Sequence, residues 1–188
     1  MTTLFINACV RPESRTLILA QEVLKHLSGD IQEVKLAEEN LLPFDNEMLL
    51  LKNELLLRGE TQHSLFRYAR QFAAADNILI AAPYWDLSFP ALLKNYIESI
   101  CVVGLTFAYD EEEKPYGMCT AKKLIYVTTA GGPIVSEHYG FGYIREVGRL
   151  FFQIPSIECF FAEGLDLKDA NVDEIMDKAI EEIRTALG

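Results

Sequence analysis

The stretch NILIAAPYWDLSFPALLKNYIESI, residues 77–100, decides the fold class of this 188-residue chain. Its first seven residues, 77–83, are apolar on both faces, as in a strand buried on both sides of a parallel sheet. Pro90 then opens a helix at a position where its missing N–H costs no hydrogen bond. That helix is predicted to run to Val103. A buried strand followed by a helix indicates a βαβ unit.

The same alternation extends in both directions from this unit. Further strands are predicted at 3–9, 31–36, 122–130 and 156–162, and further helices at 16–27, 62–75, 139–152 and 171–187. Strands that alternate with helices form a parallel sheet covered on both faces, because right-handed crossovers return each strand to the same sheet. We therefore expect one domain over residues 1–188, a three-layer α/β sandwich. Its doubly wound, five-stranded parallel sheet has the predicted order 2-1-3-4-5.

Two connections, at 37–60 and 104–120, are longer than this pattern needs. Long connections within a compact domain usually carry function or form an interface. The first contains an unusual number of leucines, namely Leu49, Leu50, Leu51, Leu55, Leu56 and Leu57. Because these side chains are too apolar to be left in water, they form either a cap over the sheet edge or a dimer surface, and we favour the dimer surface.

Composition excludes several classes of protein. Half of the residues are hydrophobic and 24% are charged, so the chain can bury a substantial core. The formal net charge of −11 disfavours nucleic acid and anionic membrane surfaces as partners, since both select basic proteins. Charged residues interrupt the longest apolar stretches, which excludes a transmembrane helix. The four cysteines and three histidines show no metal-ligand spacing, which predicts a cytoplasmic protein with reduced thiols and no metal site.

Ligands of open α/β sheets bind at the carboxyl ends of the strands, where the strand order reverses. In the predicted sheet, the loops at this point are 9–16, 83–90 and 129–133. The first loop runs directly into a helix that Ser14 can cap, and hydroxyls and arginines stand nearby. Free N–H groups at such a helix end favour a phosphate monoester. An ordinary helix cap with solvated arginines is the alternative.

The other two loops also have unusual compositions. Tyr84 and Trp85, the only tryptophan of the chain, follow a buried strand and could flank a planar ring, or merely pack between helices. Gly131 and Gly132 allow a close approach of the backbone to a ligand, although a plain tight turn would also use them. Together the three loops provide a phosphate site, an aromatic wall and a cradle for the edge of a ring.

At these residues the chain resembles the flavodoxin-like NAD(P)H:quinone oxidoreductase and FMN-dependent azoreductase family. The resemblance rests on ACVRPESRT (8–16), APYWDLSFPALLKNYIE (82–98) and TTAGG (128–132), with GLTFAY (104–109) and FFAEG (160–164) in addition. It extends over nearly the whole chain, and the middle motif is the most specific.

The resemblance implies an enzyme with a flavodoxin-like fold. Such an enzyme binds FMN (FAD is the alternative flavin) and accepts a hydride from NADH or NADPH. It then passes two electrons to a quinone, an azo compound or a similar small acceptor by a ping-pong mechanism. The resemblance also implies a homodimer with the active site at the subunit interface.

The loops and the resemblance together give the candidate site residues. The candidates for cofactor binding are Cys9, Arg11, Ser14, Arg15, Thr16, Pro83, Tyr84, Trp85, Asp86, Leu87, Thr129, Ala130, Gly131 and Gly132. His138 and Tyr139 are candidates for relaying a proton or orienting the acceptor, against the alternative that His138 is a solvated loop residue. No side chain is needed as a nucleophile, because the flavin carries the chemistry.

Three residues depart from the family pattern. The family usually has Asn-Phe where this chain has Asp86-Leu87, and frequently a serine where Cys9 stands. A carboxylate beside the flavin would oppose the anionic reduced form by charge repulsion.

Two other functions compete on the same fold. A flavodoxin-type electron carrier, which does not oxidise NAD(P)H directly, is the alternative, and the acidity of the chain would suit it. A phosphoacceptor receiver domain needs an acidic pair after the first strand and an aspartate ending the third. The chain has Asn7-Ala8-Cys9 and Ala82-Pro83 there, so this class is rejected.

Overall fold

The computed structural model describes residues 1–188 and contains a five-stranded parallel sheet. Its strands are Thr2–Asn7 (β1), Asp30–Lys35 (β2), Asn77–Ala81 (β3), Lys123–Thr129 (β6) and Ser156–Ala162 (β7), and a separate hairpin contains Phe107–Tyr109 (β4) and Pro115–Gly117 (β5). The sheet order is β2-β1-β3-β6-β7, with every pair parallel. This confirms the predicted order 2-1-3-4-5, because β6 and β7 are the fourth and fifth strands of the main sheet.

Helices cover both faces of this sheet. They are Arg15–His26 (α1), Asn46–Leu57 (α2), Arg67–Ala74 (α3), Ala91–Ile100 (α4), Phe141–Leu150 (α5) and Val172–Leu187 (α6). Helices α1 and α6 share one apolar core with the sheet face that carries Phe5, Leu79 and Val127. On the opposite face, α3, α4 and α5 pack against residues such as Ile6 and Tyr126. Successive residues of the central strands β1, β3 and β6 thus face different cores, which explains why these strands are largely apolar, whereas β2 at the sheet edge is mostly exposed.

The two long connections contain structure of their own. Residues 37–60 include α2, and residues 104–120 include the β4–β5 hairpin. Leu55 of α2 is buried against Phe66 and Val102, whereas Leu50 and Leu57 are 61% and 89% exposed. Helix α2 therefore covers its neighbours with one side only, and leaves an apolar surface in solvent.

Two predicted helices have different bounds in the structure. The helix predicted at 62–75 begins as a 3-10 turn, Ser64–Phe66, before α3. Helix α4 ends at Ile100 rather than at the predicted Val103. The Thr106 hydroxyl donates to the carbonyl of Ile100 at 2.7 Å and accepts from the N–H of Val102 at 3.2 Å. Thr106 thus satisfies the backbone groups that another helical turn would have used.

A buried carboxylate joins α1 to α6. Glu22 is 5% exposed, and its carboxylate accepts hydrogen bonds from Lys25 at 2.6 Å and Arg184 at 2.8 Å. These two hydrogen bonds lower the pKa of Glu22 to about 2. The helix pair on this face is therefore joined by an ion pair as well as by apolar packing.

None of the helices combines the length and the apolar character needed to cross a membrane.

Candidate functional site

A cleft of about 390 Å³ opens at the carboxyl edge of the sheet, where the strand order reverses between β1 and β3. All three predicted loops contribute to it. The first supplies Val10, Arg11, Glu13, Ser14, Arg15 and Thr16, the second Pro83, Tyr84 and Trp85, and the third Thr129, Ala130 and Gly131. Its volume lies within the range of small-molecule sites.

The first loop ends in a helix cap with free donors. Ser14 is the N-cap of α1, with extended backbone angles, and its hydroxyl accepts from the N–H of Leu17 at 3.4 Å. The N–H groups of Arg15 and Thr16 make no hydrogen bond within the chain. These donors lie at the positive end of the α1 dipole, which makes this part of the cleft suitable for an anion.

The hydroxyl of Thr16 is already hydrogen-bonded within the chain. Thr16 is fully buried, and its Oγ1 lies 2.6 Å from Oγ1 of Thr129. This hydrogen bond joins the first loop to the end of β6. The side chain of Thr16 therefore holds two walls of the cleft together, while its N–H is left for a ligand.

Charges of both signs line the cleft. Arg15 donates to the carboxylate of Asp166 at 2.8 Å, and the Asp166 N–H donates to the carbonyl of Gly131 at 2.8 Å. Arg11 forms no ion pair. The cleft wall thus contains two arginines and two carboxylates, Glu13 and Asp166, and Arg11 is the cation that remains free for an anionic ligand.

Sequence reasoning missed Leu165 and Asp166, which also line this cleft. Both follow β7, the strand beside β6, so their loop starts from the same edge of the sheet. The position of this loop after the fifth predicted strand could have revealed them, because the carboxyl ends of parallel strands share one edge.

Gly131 has a steric reason to be glycine. A Cβ added there would overlap the carboxylate of Asp166, whereas a Cβ on Gly132 would meet no atom within 4 Å. Of the two adjacent glycines, only Gly131 is therefore constrained, and a side chain there would have to displace the exposed Asp166 carboxylate.

The second loop forms a tight left-handed turn. Trp85 and Ser88 exchange two backbone hydrogen bonds, of 3.0 and 2.8 Å. Between them, Asp86 has a φ of 50° and Leu87 a φ of 68°. Positive φ at both central residues is the geometry of a type I′ turn, and for leucine it costs roughly 1–2 kcal/mol. The turn presents Trp85, which is 38% exposed, at the rim of the cleft.

Several candidate residues lie outside the cleft wall. Asp86 and Leu87 are exposed in the turn, and Gly132, His138 and Tyr139 do not line the cleft. Tyr139 is nevertheless tied to the second loop, because the Ser88 hydroxyl donates to its carbonyl.

Cys9 also lies outside the wall of the cleft, in a half-buried position. Its Sγ is 3.9 Å from the carbonyl of Ala81, and burial raises the pKa of its thiol. The neutral thiol is therefore the stable form of this side chain.

Comparison with known proteins finds relatives that agree with one another in fold family and in name. A family model described as a flavodoxin-like fold matches residues 1–187. FMN-dependent NADH:quinone oxidoreductase 2 of Clostridium acetobutylicum is 34% identical, over 96% of this chain and 95% of that protein. FMN-dependent NADH:quinone oxidoreductase of Clostridium beijerinckii is 33% identical, with the same coverage of both chains.

Solved structures agree in fold. An azoreductase from Bacillus anthracis superposes with a TM-score of 0.84 at 22% identity, over 100% of this chain and 98% of that one. A second Bacillus anthracis structure, an FMN-dependent NADH-azoreductase in complex with FMN, gives a TM-score of 0.82 at 20% identity, over 99% and 97% of the two chains. At these identities the likeness shows the fold alone.

Proposed function

Because this chain belongs to the flavodoxin-like fold family that includes the FMN-dependent NADH:quinone oxidoreductases, we propose that it binds FMN and passes two electrons from NADH to a quinone or an azo compound. The observation that carries this proposal is the cleft itself. Three loops that are distant in sequence meet there, with unpartnered N–H groups at one end and aromatic side chains at the other.

The phosphate of FMN binds at the start of α1. The N–H groups of Arg15 and Thr16 have no partner within the chain and lie at the positive helix end. The Ser14 hydroxyl and the unpaired Arg11 complete this site. Thr16 contributes its N–H rather than its hydroxyl, which is engaged by Thr129.

The ring system and the ribityl chain lie between the second and third loops. Pro83, Tyr84 and Trp85 form one wall, and Thr129, Ala130 and Gly131 form the other. Asp86, Leu87, Gly132 and Cys9 do not line this space. When bound, FMN supplies the two-electron chemistry, accepting hydride from NADH and delivering electrons to the acceptor.

The side chains orient the reactants instead of reacting with them. The donor and the acceptor use the same open side of the cleft in turn, which gives ping-pong kinetics. His138 and Tyr139 are the proposed contacts of the acceptor; they lie outside the cleft wall, and the Ser88–Tyr139 hydrogen bond ties their segment to the second loop.

A homodimer completes the site. Large apolar side chains of the second loop and of the segment after the third loop are strongly exposed, among them Leu87 at 49%, Val135 at 69% and Tyr139 at 63%. The leucines of α2 add a second exposed apolar surface. Exposed apolar area of this extent favours a protein interface. Light scattering coupled to size-exclusion chromatography tests this, and a monomer at micromolar concentration would contradict it.

The proposed compartment is the cytoplasm. All four cysteines are free thiols, which suits a reducing environment.

Anaerobic stopped-flow reduction of the FMN-loaded protein by NADH tests the proposed activity. We expect loss of the oxidised flavin absorbance on mixing and its return on addition of a quinone. Steady-state rates should give parallel lines in double-reciprocal plots. A flavodoxin-type carrier would bind FMN but would not be reduced by NADH, and that result would replace the proposal with this alternative.

A further inference from the structure

Residues 133–139, which connect the third loop to α5, form a segment that the main chain does not hold in place. No backbone hydrogen bond joins this segment to the chain outside residues 133–142. None of its residues belongs to an apolar core cluster either. Ile134, Ser136 and Glu137 instead line a cavity of about 440 Å³ between the sheet and α5. Neither main-chain hydrogen bonds nor core packing therefore fix the position of this segment.

Side chains from outside the segment bind its two ends. Glu163 follows β7 directly, and its carboxylate accepts a hydrogen bond from the N–H of Ile134 at 2.5 Å. Ser88 belongs to the second loop, and its hydroxyl donates to the carbonyl of Tyr139. The segment is thus attached at its start to the end of β7, and at its finish to the turn beside the candidate flavin cleft.

Two weaker contacts lie between these ends. The Tyr84 hydroxyl donates to the carbonyl of Ser136 at 3.4 Å, which is longer than an ordinary hydrogen bond between oxygen atoms. Arg145 of α5 lies 3.9 Å from Glu137, and both side chains are more than one third exposed. Ion pairs of this kind contribute little stability. The contacts at the two ends of the segment are therefore its main restraints.

The contact through Glu163 is the stronger of the two. A carboxylate that accepts from an N–H makes a charge-assisted hydrogen bond, which is roughly twice as strong as a neutral one. The backbone that carries this carboxylate is itself fixed, because the N–H of Gly164 donates to the carbonyl of Gly132 at 3.0 Å. The Ile134 N–H is the only hydrogen-bond partner of the Glu163 side chain in the fold. No other contact of this carboxylate therefore explains its position.

We propose that Glu163 and Ser88 are positioning residues that hold the 133–139 segment in place for the acceptor. The inference rests on the function proposed above, in which His138 and Tyr139 contact the acceptor. Neither Glu163 nor Ser88 lines the candidate flavin cleft, so loss of either contact leaves the lining of the cleft unchanged. Releasing one end of the segment should therefore weaken acceptor binding without slowing electron transfer to the acceptor once it is bound.

The exchange of the Ile134 amide hydrogen with solvent, measured by NMR, tests the first contact without any assay of activity. It is measured in the FMN-loaded protein and in the apoprotein. Glu163→Ala removes the acceptor and should raise the exchange rate about tenfold, the effect of one lost hydrogen bond. Glu163→Gln removes the charge but keeps an acceptor oxygen, so the exchange rate should lie between those of the wild type and Glu163→Ala.

Reoxidation of the reduced protein by tetramethyl-1,4-benzoquinone tests the effect on the acceptor. This quinone cannot alkylate the free thiols, since its ring is fully substituted. The bound FMN is reduced with stoichiometric dithionite and mixed with the quinone in an anaerobic stopped-flow instrument. The apparent Kd of the quinone should rise about three- to tenfold in Glu163→Ala and in Ser88→Ala, with the limiting rate within about twofold of the wild type. Ser88→Thr keeps the hydroxyl and should restore the affinity.

Three results would overturn the proposal. The first is an exchange rate of the Ile134 amide that is equal in the wild type and Glu163→Ala. The second is an unchanged Kd of the quinone in both alanine variants. The third is a fall in the limiting rate with no change in Kd, which would indicate a disturbed flavin. Because dithionite replaces NADH, a wild type that NADH does not reduce would refute the function proposed above and leave this assay valid, so the two failures are distinguishable.

Discussion

Replacing Asp166 with asparagine is expected to tighten the binding of FMN relative to riboflavin. Asp166 lines the cleft and holds Arg15 at 2.8 Å. In the wild type, the phosphate of FMN must compete with this carboxylate for the guanidinium, and it also meets a like charge nearby. Riboflavin has no phosphate and avoids both costs.

The magnitude follows from these two contributions. The Arg15–Asp166 pair is largely exposed, so breaking it costs roughly 0.2–1 kcal/mol. At ~6 Å in water, a carboxylate repels a phosphate with a charge of about −1.5 to −2 by about 1 kcal/mol. Asp166→Asn should therefore improve FMN affinity by about 1–2 kcal/mol, or about 5- to 30-fold. The affinity for riboflavin should change little.

Fluorescence titration of both flavins into the two apoproteins measures this ratio. Asp169→Asn is the matched control, because it removes the same charge three residues away and outside the cleft. The effect should also shrink at high salt, as expected for partly solvated charges. If Asp166→Asn weakens FMN binding, Asp166 orients Arg15 for the phosphate and does not compete with it, and our reasoning is wrong.

Three further predictions concern stability. Thr16→Val should destabilise the protein by about 1–3 kcal/mol, because it leaves the buried Thr129 hydroxyl unpaired. The Thr16→Val/Thr129→Val double variant should lose less stability than the two single variants added together. Additive losses of stability in urea denaturation would contradict the pairing. Gly131→Ala should lower the melting temperature more than Gly132→Ala, because only a Cβ at position 131 overlaps Asp166. Equal melting temperatures of the two variants would argue against this close approach. The pKa of Glu22 is about 2 in the folded protein, against an ordinary value of 4.5. Its ionised form therefore stabilises the protein fully above pH 4.5, and this stabilisation is lost as the pH falls toward 2. The difference in melting temperature between the wild type and Glu22→Gln should shrink over that range, with the exposed Glu181→Gln as control; a difference independent of pH would contradict the assignment.

The main sheet could be predicted from the sequence because its central strands β1, β3 and β6 are buried on both faces. Continuous apolar runs such as 77–83 and 122–130 leave little choice of structure. Helix α2 was not predicted, since its leucines occur in two consecutive runs and define no single apolar face. The Asp45 side chain, which caps α2 through the N–H of Met48 at 2.8 Å, was the available signal for its start.

The candidate site could be predicted from the sequence less completely than the fold. The loops after β1, β3 and β6 could be placed together because the topology brings their ends to one edge. The left-handed turn at Asp86-Leu87 could not be predicted, because such turns usually contain Asn-Gly or Asp-Gly. The partner of the Thr16 hydroxyl is 113 residues away, and only tertiary structure shows that this side chain is engaged.

Adjacent threonines on β6 have consequences for how such a protein can diversify. Thr129 lines the candidate flavin cleft, whereas Thr128 lines a different cavity, of about 440 Å³, between the sheet and α5. Because neighbouring strand residues face opposite sides, a substitution at one position leaves the lining of the other cavity unchanged. Substitutions that reshape the cavity on the α5 face can therefore accumulate without loss of the candidate flavin cleft, because one rigid strand separates the two.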